Sequence, residues 1–307
     1  YIVNVIAVIG KFEFKGAVVV LKFVNFQLNN QIRLGVKVKN GIMDIAQVSD
    51  AYSLGVPKTI EQIIAAGKSV TEKLQKYAES TSFLIDEDNI VYAPCVTNPE
   101  KIICIGLNYL DHANESKMEI PLSPVVFSKF SNALAGNKQE ILLPINAKQF
   151  DYEAELVIVI GKTAESVSRE NAMSYIFGYT IGNDLSARDL QFRTGQWLLG
   201  KTCDGFAPIG PYLVTADEVN PSDLEISCRV NGELRQQGNT KNMIFDCAYI
   251  VSYLSQHMTL KPGDIIFTGT PAGVILGYPE EKRVWLKSGD EVSVSIEKIG
   301  TLINKLK

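Results

Sequence analysis

The segment Phe150 to Ile160, FDYEAELVIVI, leaves the fewest options for the fold around it. Leu156 to Ile160 is apolar without a break, so as a strand it offers no face to water and has to lie between two packed layers. Glu153 and Glu155 stand two apart just ahead of that run. On a strand this points both carboxylates to one face at the strand's mouth, and Asp151 joins them by the same alternation. Acids so placed repel one another unless water or a cation lies between them. Asp184 closes a second apolar segment, with Tyr179 and Ile181, and opens a turn into a short helix carrying Arg188, Asp189 and Gln191. Glu153, Glu155 and Asp184 thus stand at two strand ends. Oxygen ligands with no Cys or His cluster beside them suit Mg²⁺ or Mn²⁺ rather than zinc. A Glu-x-Glu pair by itself more often decorates a solvated face, and it is the company of this pair that favours a metal.

A chain of 307 residues leads one to expect about two domains. The net charge of −4 provides no basic footprint, which argues against nucleic acid as a partner. No apolar run reaches the roughly 18 residues needed to cross a bilayer, because Lys11, Glu13, Lys15 and Lys22 interrupt the apolar beginning, and their order does not suit a signal peptide. The five cysteines, at 95, 104, 203, 228 and 247, include no C-x-x-C and are odd in number, as expected of reduced thiols in a cytoplasmic protein.

Residues 1–20 read as an apolar, strand-like extension of unknown role. From Leu21, Asn29-Asn30 and Asn40-Gly41 separate alternating runs, the signature of consecutive hairpins. A helix is expected from about Thr59 to Ala78, with Thr59 and Gln62 as a capping box and Ile60, Ile63, Ile64, Val70 and Leu74 as its apolar stripe. The polar break Asp86 to Asn89 ends a small N-terminal α+β domain over 21–88, leaving 89–307 as the catalytic domain. There, Lys101 to Tyr109 reads as a buried strand leading into a segment bounded by Gly and Pro and able to move as a lid. His112 and Glu115, three apart, share a face if that segment is helical. A histidine so placed is also a common structural residue; His257, at the end of an apolar helix, reads as core or cap. Later strands alternate over Leu224 to Val230, Asp264 to Phe267 and Val292 to Ile296. Asn231-Gly232 is a turn, Gly300 suggests a bulge, and Thr268 to Gly273 is either a tight turn or an anion-binding loop.

Gly195 to Thr202 matches G-x-x-x-x-G-K-T, yet Asp204, Gly205, Pro208, Gly210 and Pro211 follow, where a phosphate-binding loop requires a helix. Ser186 lies in DLSARD rather than a G-x-S-x-G elbow, and Cys203 has no histidine signature paired with it.

Taken together, several motifs resemble the fumarylacetoacetate hydrolase family: Gly106-Leu-Asn108-Tyr109-x-x-His112-x-x-Glu115, Asp151-Tyr-Glu153-x-Glu155-Leu156, Gly178-Tyr-x-x-x-Asn183-Asp184-x-Ser186-Ala-Arg188-Asp189-x-Gln191, Gly200-Lys201-x-x-Asp204, Gly210-Pro211 and Thr268-Gly-Thr270-Pro-x-Gly273. The resemblance runs from about Lys101 to Leu306. It implies an α+β fold with a strand-rich mixed β roll of the fumarylacetoacetase C-terminal-like type, a homodimer, and a small 2-oxo acid as substrate at a Mg²⁺ or Mn²⁺ site. By resemblance, Glu153, Glu155 and Asp184 hold the metal. Arg188, Gln191 and Thr270 bind the 2-oxo-carboxylate, and His112, Glu115 and Lys201 act in catalysis. The leading expectation is a hydrolase or decarboxylase that breaks a C–C bond in an acylpyruvate or oxaloacetate-like acid, with His112 activating water for hydrolysis. The alternatives are an isomerase or tautomerase of a hydroxymuconate-type dicarboxylic acid and a sugar-acid dehydratase or lyase. Side chains around Asn114 to Met118, Lys129 and Leu276 to Arg283 are expected to read the distal end of the substrate.

Overall fold

The structure, a computed structural model, describes residues 20–78, 81–115 and 119–307. The extension expected over 1–20 lies outside them except for Val20, as do residues 116–118 of the segment expected to read the substrate.

A large mixed sheet runs through the chain in the order Leu84–Ile85, Gly41–Asp44, Gln31–Val38, Lys22–Leu28, Ala207–Thr215, Ile176–Asn183, Ala154–Ile160, Ile265–Phe267, Ile102–Gly106 and Val125–Lys129. A second sheet orders Glu233–Asn239, Glu225–Val230, Glu291–Ile296, Gly300–Leu306 and Glu140–Ile141. The fold is strand-rich mixed α+β. Ala154–Ile160 is buried along its whole length. Leu156, Ile158 and Ile160 enter one core with Ile226 and Val294 of the second sheet and Ile250 and Leu254 of the helix Cys247–His257. Val157 and Val159 enter the other core with Phe23, Val36, Ile209 and Phe267. Covering both faces explains the unbroken apolar run, each such side chain stabilising the fold by about 1.5–3 kcal/mol.

The turns at Asn29-Asn30, Asn40-Gly41 and Asn231-Gly232 each join paired strands. The helix expected over Thr59 to Ala78 is two helices, Ile60–Ala66 and Lys68–Ala78. Thr59 caps the first through Gln62 N at 3.4 Å, and the chain turns at Gly67, where φ is 67°. Gly300 opens the last strand opposite Ile296 instead of bulging within one. Among the described residues no helix is long and apolar enough to cross a membrane, and the five cysteines carry no disulfide.

Candidate metal and substrate site

Strand register brings the acids together. Ala154 pairs with Asn183 and Glu155 with Gly182 across an antiparallel ladder, so residues just before one strand and just after the other share one end of the sheet. Glu153 N donates to Asn183 Oδ1 at 3.0 Å, and Asp184 N to the Glu153 carbonyl at 2.9 Å. One carboxylate oxygen from each of Glu153, Glu155 and Asp184 lies within 4.8 Å of the others, and all three residues are buried. Ile265–Phe267 runs antiparallel to Ala154–Ile160 and parallel to Ile102–Gly106, so the loops leaving both strands open at that same end. One loop carries Thr270; the other leads into the helix Leu110–Glu115, with His112.

Three cations accompany the carboxylates. Lys201 Nζ stands 2.6 Å from Glu153 Oε2 and 3.0 Å from Asp184 Oδ2. Arg188 Nη2 lies 2.7 Å from Glu153 Oε1, and Lys129 Nζ 2.6 Å from Asp184 Oδ1. At Glu153 burial pushes the carboxyl pKa up, but Lys201 and Arg188 outweigh it and hold the group well below the ordinary carboxylate range. At Lys201 burial opposes the charge, yet Asp184 and Glu153 prevail and raise its pKa, so the ammonium stays protonated. Glu155 differs. Its Oε2 accepts the Gly269 N–H at 2.7 Å, and no Lys or Arg among the described residues pairs with it. Burial, then the charges of Asp184 and Glu153, push its pKa well above the ordinary range. Three hard oxygens in a buried cluster, one of them on a carboxylate without an ion-pair partner, fit a divalent metal ion.

Asp151 does not belong to this cluster, contrary to the alternation read from sequence. Phe150–Asp151 pairs with Ser186–Ala187 in a separate two-stranded ladder, and the chain enters the large sheet only at Ala154, so the period of two breaks between the acids. The Asp151 carboxylate instead accepts the backbone N–H groups of Ile275 at 2.8 Å and Leu276 at 3.0 Å, and pairs with Arg188 at 2.9 Å. Lys129 is also elsewhere than expected. It is 2% exposed, donates to the carbonyls of Phe206 at 2.6 Å and Leu185 at 3.0 Å besides holding Asp184, and is not among the residues lining the pocket beside the cluster.

The cluster opens into a pocket with about 430 Å³ of empty space, part of it open to solvent. Glu153, Glu155, Arg188, Gln191, Lys201, Thr270 and His112 line it, with Phe127, Phe192, Trp197 and Leu276 as apolar wall. Arg188 Nη1 donates to Gln191 Oε1 at 2.9 Å, which leaves the Gln191 amide nitrogen as a donor. Glu115 Oε1 holds His112 Nδ1 at 2.9 Å, leaving Nε2 as the ring nitrogen available for chemistry. The nine residues expected from sequence therefore converge, Asp184 within the carboxylate cluster and Glu115 behind His112. Sequence reading missed Gln236, whose Nε2 donates to Thr270 Oγ1 at 2.8 Å and whose Oε1 accepts Ala154 N at 3.0 Å. Alternation along Glu233–Asn239 shows only that Gln236 faces inward. His257 ends its helix, exposed, with its ring 4.7 Å from that of Tyr253. Gly195 to Thr202 contains a single helical turn, Leu198–Lys201, and the next element is the strand Ala207–Thr215.

Residues 101–307 match the family profile described as fumarylacetoacetate (FAA) hydrolase C-terminal. Over 288 residues the chain is 40% identical to oxaloacetate tautomerase Fahd2a, mitochondrial, of Rattus norvegicus, an alignment covering 93% of this chain and 91% of the relative. Among solved structures it resembles a fumarylacetoacetate hydrolase from psychrophilic Exiguobacterium antarcticum, with a TM-score of 0.82, 36% identity and coverage of 94% of this chain and 99% of that one. The 2-hydroxyhepta-2,4-diene-1,7-dioate isomerase from Mycobacterium marinum is similar at a TM-score of 0.72 and 33% identity, covering 93% of this chain and 98% of that one.

Proposed function

This chain belongs to the fumarylacetoacetate hydrolase family, and we propose that it interconverts the keto and enol forms of oxaloacetate or a close 2-oxo dicarboxylic acid, with Mg²⁺ or Mn²⁺ held by Glu153, Glu155 and Asp184. His112, oriented by Glu115 on the wall of the pocket that the carboxylates also line, supplies the base, and what favours proton transfer over bond cleavage is the 40% identity to a relative named as a tautomerase. The relative named an oxaloacetate tautomerase supports the substrate class. When bound, the metal would draw electron density from a chelating 2-oxo-carboxylate and so favour the enolate. Arg188, Gln191 and Thr270 orient the substrate carboxylate, and the cations beside them offset its charge. Toward the enol, His112 Nε2 takes a proton from the carbon next to the carbonyl and gives it back to the enolate oxygen, and ketonisation is the reverse transfer. Lys201 Nζ, with two of its three hydrogens directed at Glu153 and Asp184, offers the third to the enol oxygen. No water is consumed.

A second reading, C–C bond hydrolysis or decarboxylation, draws on the same His112–Glu115 pair, which is equally able to activate water. Following enol-oxaloacetate absorbance while assaying pyruvate separates the two. The expected result is enol decay faster than the spontaneous rate, no pyruvate, loss of activity with a chelator, and recovery with Mg²⁺ or Mn²⁺. Pyruvate formed in step with turnover would establish decarboxylation instead, and oxalate with acetate would establish hydrolysis. His112→Ala is expected to lower turnover about 100-fold or more; undiminished turnover would remove His112 from the chemistry. We further propose a homodimer, tested by sedimentation, and a cytoplasmic location, tested by fractionation; the rat relative's name places that protein in mitochondria.

A further inference from the structure

We infer that Gly277, together with the backbone N–H of Gly273, forms a seat that sets the position of Glu115 and, through it, of His112. Both Glu115 oxygens take the Gly273 N–H, Oε2 at 2.9 Å and Oε1 at 3.1 Å, while Oε1 also holds His112 Nδ1 at 2.9 Å. One carboxylate thus joins the short helix Leu110–Glu115 to the loop after Ile265–Phe267. Gly277 closes the other side. A Cβ built there would stand 2.5 Å from Glu115 Cδ and 2.7 Å from Oε2, inside the distance real carbon contacts allow.

The seat is itself anchored to the carboxylate cluster. Gly277 ends the turn Ile275–Gly277, whose first two N–H groups are held by Asp151. Asp151 pairs with Arg188, and Arg188 with Glu153. A continuous series of charged contacts therefore runs from a metal-site carboxylate to the turn, and the turn bears on the acid that orients His112. Leu276, on that same turn, lines the pocket. Gly277 and Gly273 are positioning residues: they touch Glu115, and the substrate-facing atom is on His112.

Gly277→Ala isolates the effect. Gly277 does not have a positive φ, so alanine suits its backbone, and the atoms its methyl group displaces are the far end of a flexible side chain. The expected damage is a moved carboxylate in an intact fold. This inference rests on the proposal that His112 is the base. The test therefore uses two kinds of readout on the full chain: oxaloacetate turnover with Mg²⁺ titration, and the imidazole N–H spectrum by NMR. Only two histidines are present, so His112→Ala assigns the His112 signal.

For Gly277→Ala we expect kcat lower by roughly 10- to 100-fold, the size of effect a displaced catalytic group has. KM and Mg²⁺ affinity should stay within about twofold by the same reasoning, since the carboxylate cluster is untouched. The His112 Nδ1–H signal should be lost. Wild-type kcat with that signal retained would overturn the seat. If His112→Ala turns over normally, the base proposal fails, while the NMR signal in Gly277→Ala still decides whether the seat exists. Glu115→Ala leaves the turn unaltered and serves should Gly277→Ala unfold: Gly273 amide exchange should then accelerate, and unchanged protection would overturn the inference.

Discussion

Lys129 shows how much of the site lies behind its visible surface. It lines no part of the substrate pocket, yet its ammonium holds one oxygen of Asp184 while Lys201 holds the other. Replacing it with methionine keeps the bulk and leaves that buried oxygen without its cation. We expect Lys129→Met to destabilise the protein by about 3 kcal/mol in urea unfolding, the lower end for breaking a buried pair because Lys201 remains. Glu155→Gln works on the opposite end of the balance. It removes the one carboxylate without a cationic partner, so Mg²⁺ affinity measured by calorimetry should fall at least tenfold, or about 1.4 kcal/mol, with folding stability preserved. The two glutamates were legible in the sequence because acids abutting an unbroken apolar run are chemically costly. Lys129 was not, because nothing in local spacing connects it to an aspartate that only strand register brings near. Asp151 was misread for the same reason: alternation holds within a strand and says nothing about where one strand yields to another.

At the scale of elements, the site depends on close approach between the short helices Arg188–Gln191 and Leu198–Lys201, which supply the arginine, the glutamine and the lysine. Gly200 permits it: a Cβ there would stand 2.4 Å from Gln191 N and 2.5 Å from the Ala187 carbonyl. Both neighbours are backbone and do not give way. Gly200→Ala should lower stability by about 1–3 kcal/mol and, by tilting Lys201, weaken binding of oxalate, a planar mimic of a pyruvate enolate, in calorimetry. Sequence reasoning rejected a phosphate loop here from the Gly and Pro residues that follow, and the strand Ala207–Thr215 occupies that stretch. It had no means of finding the packing partner of Gly200. The same limit split the expected helix at Gly67, where periodicity continues across a turn in the backbone.

Across the whole molecule, the polar stretch that reads as a boundary contains a junction. Glu87 accepts hydrogen bonds from Lys37, from Tyr92 at 2.8 Å, and from Tyr212 of the strand Ala207–Thr215. Burial raises its pKa, but the hydrogen bonds from Lys37, Tyr212 and Tyr92 outweigh that and leave it below its ordinary value of 4.5. A carboxyl depressed on folding contributes stability above its unfolded pKa, and that contribution is lost as pH falls through the lower folded value. Glu87→Gln should therefore lower the melting temperature at neutral pH and flatten its decline below pH 4.5, as measured by calorimetry. A stretch of four polar residues looks like a linker; only the tertiary fold shows what Glu87 joins. Lys22–Leu28 in turn lies against Ala207–Thr215 in one ladder, with Phe23 and Val36 in the same core as Val157 and Val159. Anyone trimming the gene back to a minimal catalytic fragment would lay bare the edge of Ala207–Thr215 at Leu213 and Val214, beside a greasy surface. The product to anticipate is insoluble aggregate, because the excised portion shields the enzyme from its own neighbours.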